Sequence, residues 1–144
     1  MYLSRRTFTR LGSFSLLLAF SLGGLTGVGR VLGEEPSRKT TVELTIDYGD
    51  GVQKRFPAIL FRAGMTVLDA LQDAQKHPRG IRFEHRGSGE TAFVSKIDDL
   101  ANEGRGRNWT YGVNDKKADR SCGVFSLTAG DRVVWKFGTG TENP

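Results

Sequence analysis

The chain has 144 residues, of which 38% are hydrophobic and 26% charged, values that fit one globular domain and exclude a polytopic membrane protein, a collagen or a chain disordered throughout. The net charge of +5 suggests a nucleic-acid binder, yet residues 1–33 hold four arginines and no acid. Residues 34–144 hold 17 basic and 16 acidic side chains, so the basicity sits in the leader and no nucleic-acid partner is expected.

The N-terminus reads Ser4-Arg5-Arg6-Thr7-Phe8-Thr9-Arg10, followed by an uncharged stretch from Leu11 to Gly29. A basic region followed by a short apolar one is the build of a secretory signal peptide. The paired arginines with Phe8 resemble a bacterial twin-arginine signal, S/T-R-R-x-F-L-K, with Thr9 in place of Leu and Arg10 in place of Lys. That resemblance implies residues 1–33 as a signal peptide read by the twin-arginine (Tat) export machinery, and a periplasmic or secreted protein of a bacterium. Val31-Leu32-Gly33 supplies small residues for cleavage, with Gly27-Val28-Gly29 as a second choice. The alternative is an uncleaved anchor, the one case in which a membrane contact is expected; its apolar run falls short of the ~20 residues of a span. Residues 34–40, with Pro36, read as a flexible lead-in.

Thr41 to Tyr48 alternates apolar and polar, the mark of a strand with Val42, Leu44, Ile46 and Tyr48 on its buried face. Gly49-Asp50-Gly51 is a hairpin signal, since Asp-Gly tolerates positive φ. The return strand, Val52 to about Phe61, carries Pro57 and so belongs at an edge or on a bulge. From Gly64 the period changes to that of a helix, with Thr66 as N-cap and Asp69 three residues on. Val67, Leu68, Leu71 and Ala74 share one face, and Pro78 with Gly80 ends the helix. Strands resume at 81–85 and 91–97, around a turn at 87–90. Residues 98–107 read as loop, 108–113 as a strand with Trp109, Tyr111 and Val113 facing one way, and 132–137 as the last strand with Val133, Trp135 and Phe137 on one face. Residues 139–144 are a polar tail.

A hairpin, one helix and several further strands define an α+β order. With one helix to cover the sheet, the economical packing is a β-grasp: a ubiquitin-like mixed sheet curled on the helix, its first and last strands side by side. Ile46-Asp47-Tyr48-Gly49-Asp50-Gly51, Gly64-Met65-Thr66-Val67-Leu68-Asp69-Ala70-Leu71, Ile97-Asp98, Asn108-Trp109-Thr110-Tyr111-Gly112-Val113-Asn114 and Ala129-Gly130-Asp131-Arg132-Val133-Val134-Trp135 stand in a specific order. Together they resemble a domain-of-unknown-function family similar to the C-terminal β-grasp domain of transcobalamin and intrinsic factor, over 41–138. The resemblance implies the fold and a ligand-binding role. Transcobalamin-type proteins grip the corrin between this module and a helical barrel, which this sequence lacks. Cobalamin or a related corrinoid is therefore a ligand implied by the resemblance alone, and is expected to bind weakly at most.

The candidate ligand-binding residues are Trp109, Tyr111 and Asn114. Alternate positions set both rings on one face, as a flat platform for a ligand or as core aromatics packed on the helix. Asp98, Asp99 and Glu103, with Asp115 and Asp119 further on, suggest a hard-cation loop such as calcium uses, but no EF-hand spacing is present. A solvated acidic loop neutralised by Arg105 and Arg107 is the simpler reading. His77, His85 and the single Cys122 lie at no metal-ligand spacing, and no catalytic residue or metal ligand is assigned.

The expected function is thus an exported, non-enzymatic ligand-binding or adaptor module, with a small molecule, a glycan or a protein as partner. Two alternatives stand beside it. One is a small redox or cofactor-carrying enzyme exported folded; the other is a structural domain tethered by an uncleaved leader. Exposure of Trp109 and Tyr111 discriminates, because exposed rings beside a concavity favour binding.

Overall fold

The computed structural model describes residues 40–141. The expected signal peptide at 1–33, the expected lead-in up to Lys39 and the last three residues of the expected tail lie outside them. Strand β1 (Thr41–Asp47) buries Val42, Leu44 and Ile46 on one face, as its alternation requires. Tyr48 to Val52 then reverse the chain. Asp47 accepts from the Gly49 N–H and Asp50 from the Val52 N–H, both at 2.9 Å. Gly49 has φ +74°, and a Cβ there would lie 2.2 Å from the Phe137 carbonyl oxygen, so only glycine fits.

Strand β2 (Gln53–Leu60) returns antiparallel to β1 at the edge of the sheet. Its register shifts between Val42↔Ile59 and Leu44↔Phe56, a bulge that takes in Pro57. Pro57 thus sits both at an edge and on a bulge, the two places where a missing N–H is tolerated. Helix α1 (Val67–Gln75) starts at Thr66 with a reciprocal cap: the Thr66 N–H donates to the Asp69 carboxylate, and the Asp69 N–H donates to Thr66 Oγ1. Its Val67, Leu68, Ala70, Leu71 and Ala74 are buried.

Strands β3 (Phe83–Arg86), β4 (Phe93–Ile97) and β5 (Leu100–Ala101) form a separate three-stranded antiparallel sheet. The expectation of a single sheet and of an unbroken loop over 98–107 is corrected here. Asp98, at φ +47°, turns the chain tightly enough for Leu100 and Ala101 to pair back on Lys96 and Ile97. Strands β6 (Asn108–Val113), β7 (Lys116–Lys117) and β8 (Arg132–Gly138) complete the larger sheet, in the order β2-β1-β8-β6-β7. β8 runs parallel to β1, Leu44 opposite Val133 and Ile46 opposite Trp135, and antiparallel to β6. First and last strands lie side by side with one helix on the core face: a β-grasp-like α+β fold.

One cluster joins the inward residues of β1, α1, β6 and β8 with Ile81, Val94 and Ile97 from the smaller sheet's side. The irregular segment between β7 and β8 closes it through Cys122 and Leu127. That segment also satisfies the open end of the helix, since Val67 N–H donates to the Phe125 carbonyl and Leu68 N–H to the Cys122 carbonyl.

Candidate functional site

The three residues favoured by the sequence do not form one surface. Trp109 is 5% exposed and Tyr111 7%. The Trp109 ring lies 5.2 Å from Phe137, and Tyr111 lies 5.0 Å from Trp135. Trp109 Nε1 donates to the Leu100 carbonyl at 2.8 Å, and the Tyr111 hydroxyl donates to the Arg120 carbonyl at 2.8 Å. Burial pushes the Tyr111 phenol pKa up, with Cys122 adding to the shift. The open aromatic platform is therefore corrected to core packing. The pairing of Trp109 with Phe137 and Tyr111 with Trp135 turns these rings toward the core face. Asn114 stands at the opposite end of β6, roughly 17 Å of strand from Trp109. It is exposed but engaged: its amide donates to Asp131 at 2.8 Å and accepts from the Arg132 N–H at 3.0 Å. It shapes a turn at φ +51°.

Four of the five candidate acidic residues, all but the exposed Asp99, are matched by separate partners. Asp98 accepts from the Tyr48 hydroxyl and the Arg82 N–H. Glu103 binds Arg107, whose backbone N–H is the main cause holding its carboxyl below the usual range. Asp119 pairs with Arg120, and Asp115 with Arg132. Among the described residues no three His, Cys, Asp or Glu side chains come together as a metal-binding group. His77 packs edge-on against Phe56, and His85 stacks on Phe83, in different sheets' surroundings. The Cys122 thiol is buried, and that burial pushes its pKa up.

A different place offers room. Between the edge strand β2 and the end of α1 lies a groove of about 950 Å³. Its apolar lining is the exposed Pro57, Ala58 and Leu60 over the core residues Phe56, Ile59 and Ala74, while Lys54, Arg55, Arg62, Lys76 and Arg79 set cations around one carboxylate, Asp73. The groove is open because β2 has no neighbour beyond β1, and Pro78 and Arg79, in the turn after α1, line its other side. Gly80 approaches the helix end so closely that a Cβ would lie 2.5 Å from the Ala74 carbonyl oxygen. Asp73 holds Arg62 and Lys76. Its burial raises the carboxyl pKa, but the hydrogen bonds from Arg62 and Lys76 outweigh that and leave it below the usual value. The available signal in the sequence was the pair of basic runs, Lys54-Arg55 and Lys76 to Arg79; nothing local says that they face each other.

A second hollow, about 580 Å³, lies on the smaller sheet and takes in Asn102 and Gly104 from the 98–107 segment and Asn108 from the start of β6, beside Phe93 and Arg86. The Arg86 guanidinium sits 5.4 Å above the half-exposed Phe93 ring.

Fold and groove together define a small β-grasp-like module with an open, cation-rimmed groove. Residues 64–139, more than half of the chain, match the family described as Domain of unknown function (DUF4430), and the chain belongs to that family. Among solved structures it is similar to a "putative metal binding protein" from Ruminococcus gnavus ATCC 29149, with a TM-score of 0.54 and 12% identity over 69% of this chain and 96% of that one. At that identity the likeness shows the fold alone. No curated protein matches the chain.

Proposed function

We propose that the chain is an exported, non-enzymatic ligand-binding module of the transcobalamin C-terminal-like type, and that the groove between β2 and α1 is its site. The observation that carries the reading is the groove itself. Its volume of about 950 Å³ and its apolar floor within a rim of charged side chains suit a small-molecule site. Binding without catalysis is supported by the state of the reactive groups: Cys122 is buried with a raised pKa, and the two histidines pack on separate aromatic rings. Export to the periplasm or beyond is supported by Arg5-Arg6 and the acid-free leader. A corrinoid is the form of ligand suggested by the transcobalamin resemblance, and a metal the form suggested by the name of the structural neighbour. The groove's donors, one carboxylate and one imidazole among five cations, fit neither a divalent cation nor a cobalt ligand set well.

The test is native mass spectrometry of the full chain and of Ala58→Trp, each recovered from the periplasm of the cells that make it. Ala58 is exposed on the edge strand inside the groove, so the larger side chain fills the site without entering the core. A bound small molecule in the parent and its loss in the variant is the expected result. A bare chain in both, with no small molecule released on denaturation, rejects the reading.

A further inference from the structure

Residues 40–141 contain 15 basic and 13 acidic side chains, close to balance. Five of those cations line the groove, against one carboxylate. Three are already engaged. Arg62 and Lys76 hold Asp73, while Lys54 donates to the Gly80 carbonyl at 2.7 Å and lies 3.8 Å from Asp98. Two are not neutralised. Arg55 donates to the uncharged amide oxygen of Gln53, and the Arg79 guanidinium has no partner among the described residues. They come from opposite walls, Arg55 from β2 and Arg79 from the turn after α1.

Simpler roles account for part of this. Cations after a helix C-terminus complement its dipole, which covers Lys76 and Arg79. Charges and proline on an edge strand oppose strand addition, which covers Lys54, Arg55 and Pro57. Neither role requires an apolar floor between the two sets of cations, with Leu60 left 71% exposed at its end. The blocked edge also narrows the choice of occupant. A bulge and a missing N–H at Pro57 interrupt the ladder that an added β-strand needs, so a compact molecule fits this edge better than an extended peptide.

We propose that the groove binds a free amphipathic anion, its apolar body on the exposed Pro57, Ala58 and Leu60 of β2 and its carboxylate or phosphate head between Arg55 and Arg79. This rests on the reading of the chain as a ligand-binding module and names the ligand class of that site. Charge-assisted hydrogen bonds from guanidinium supply the head with strong, directional donors, and removal of the body from water supplies the remainder.

The probes are decanoate below its micelle concentration, decan-1-ol and inorganic phosphate, titrated into the full chain and followed by backbone amide shifts and calorimetry. Decanoate is expected to saturate one site with shifts confined to β2 and the end of α1. Arg55→Gln with Arg79→Gln should weaken it at least tenfold, and Ala58→Trp should abolish it. Both arginines are solvent-facing, so the double variant should keep the parent's amide spectrum elsewhere. Decan-1-ol binding as tightly as decanoate rejects the anion and leaves the ligand-binding groove standing. Phosphate binding as tightly as decanoate rejects the apolar body. No shift in the groove with any probe, beside a native ligand that Ala58→Trp loses, rejects the ligand class alone; the same silence with no native ligand rejects the site as well.

Discussion

The Tyr48 hydroxyl donates to the Asp98 carboxylate at 2.5 Å, joining the hairpin after β1 to the turn between β4 and β5 across 50 residues of chain. Asp98 also accepts from the Arg82 N–H at 2.8 Å, so one carboxylate pins the smaller sheet to the larger one. The Tyr48 ring meets Trp109 edge-on at 6.0 Å. Tyr48→Phe keeps the ring and removes the hydrogen bond. It should destabilise the fold by about 1.5–3 kcal/mol, the range for a hydrogen bond to a charged group. An unchanged midpoint in urea denaturation would show that the clasp adds nothing.

Alkaline pH should unfold the protein through its tyrosines. Burial raises the Tyr48 pKa, with Asp98 adding to it, and burial raises that of Tyr111. A phenol whose pKa is raised in the fold stays protonated there after its unfolded counterpart has ionised. The native state then binds more protons, and stability falls as pH rises above ~10, the unfolded value. Below that pH the contribution is fully present. The check is a series of urea midpoints from pH 8 to 11.5: Tyr48→Phe should flatten the fall, and a flat profile in the parent would remove the claim.

Leu71 is fully buried in the middle of α1 and faces the core shared by β1 and β8. Leu71→Ala should cost about 2–5 kcal/mol, as deletion of a buried leucine does when the cavity relaxes incompletely. A loss below about half a kcal/mol would place Leu71 outside the cooperative core.

The two tryptophans should respond differently to the same substitution. Trp109 Nε1 donates to Leu100, whereas Trp135 Nε1 is buried with no hydrogen-bond partner among the described residues. Both Trp→Phe changes remove similar volume. Trp109→Phe also leaves the Leu100 carbonyl without its donor, while Trp135→Phe relieves an unmatched polar group. Trp109→Phe should therefore be the more destabilising by about 1–3 kcal/mol, measured by thermal and chemical denaturation. Equal losses would mean that Nε1 of Trp135 has found a partner in solution.

Export should depend on the paired arginines. Arg5→Lys combined with Arg6→Lys, in a leader fused to a reporter that must fold before export, should stop translocation. A periplasmic reporter from the double variant would exclude the twin-arginine route.

The secondary structure of the domain is written locally. Val42, Leu44 and Ile46 at every second position and Val67, Leu68, Leu71 and Ala74 at helical spacing each name their own buried face. Thr66 with Asp69 marks the helix start within four residues, and Pro57 marks an edge or a bulge because no other strand position forgives a missing N–H. The candidate site was less legible. Alternation put Trp109 and Tyr111 on one face of β6, but could not say whether that face meets water or the core; the pairing with Trp135 and Phe137 across β8 decides it.

The sequence by itself therefore determined the order and type of the main elements and the side-by-side placement of first and last strands. Each depends on neighbours within a few residues, or on the need to cover one sheet with one helix. Tertiary structure alone decided the remainder: the split into two sheets at Asp98, the capping of α1 by the carbonyls of Cys122 and Phe125, and the placement of Arg55 and Arg79 in the lining of one groove. The last two relations join residues 24 to 58 positions apart. Charge and hydrogen-bonding capacity carry no label of their partner, so the folded chain selects the partner by bringing the two segments together.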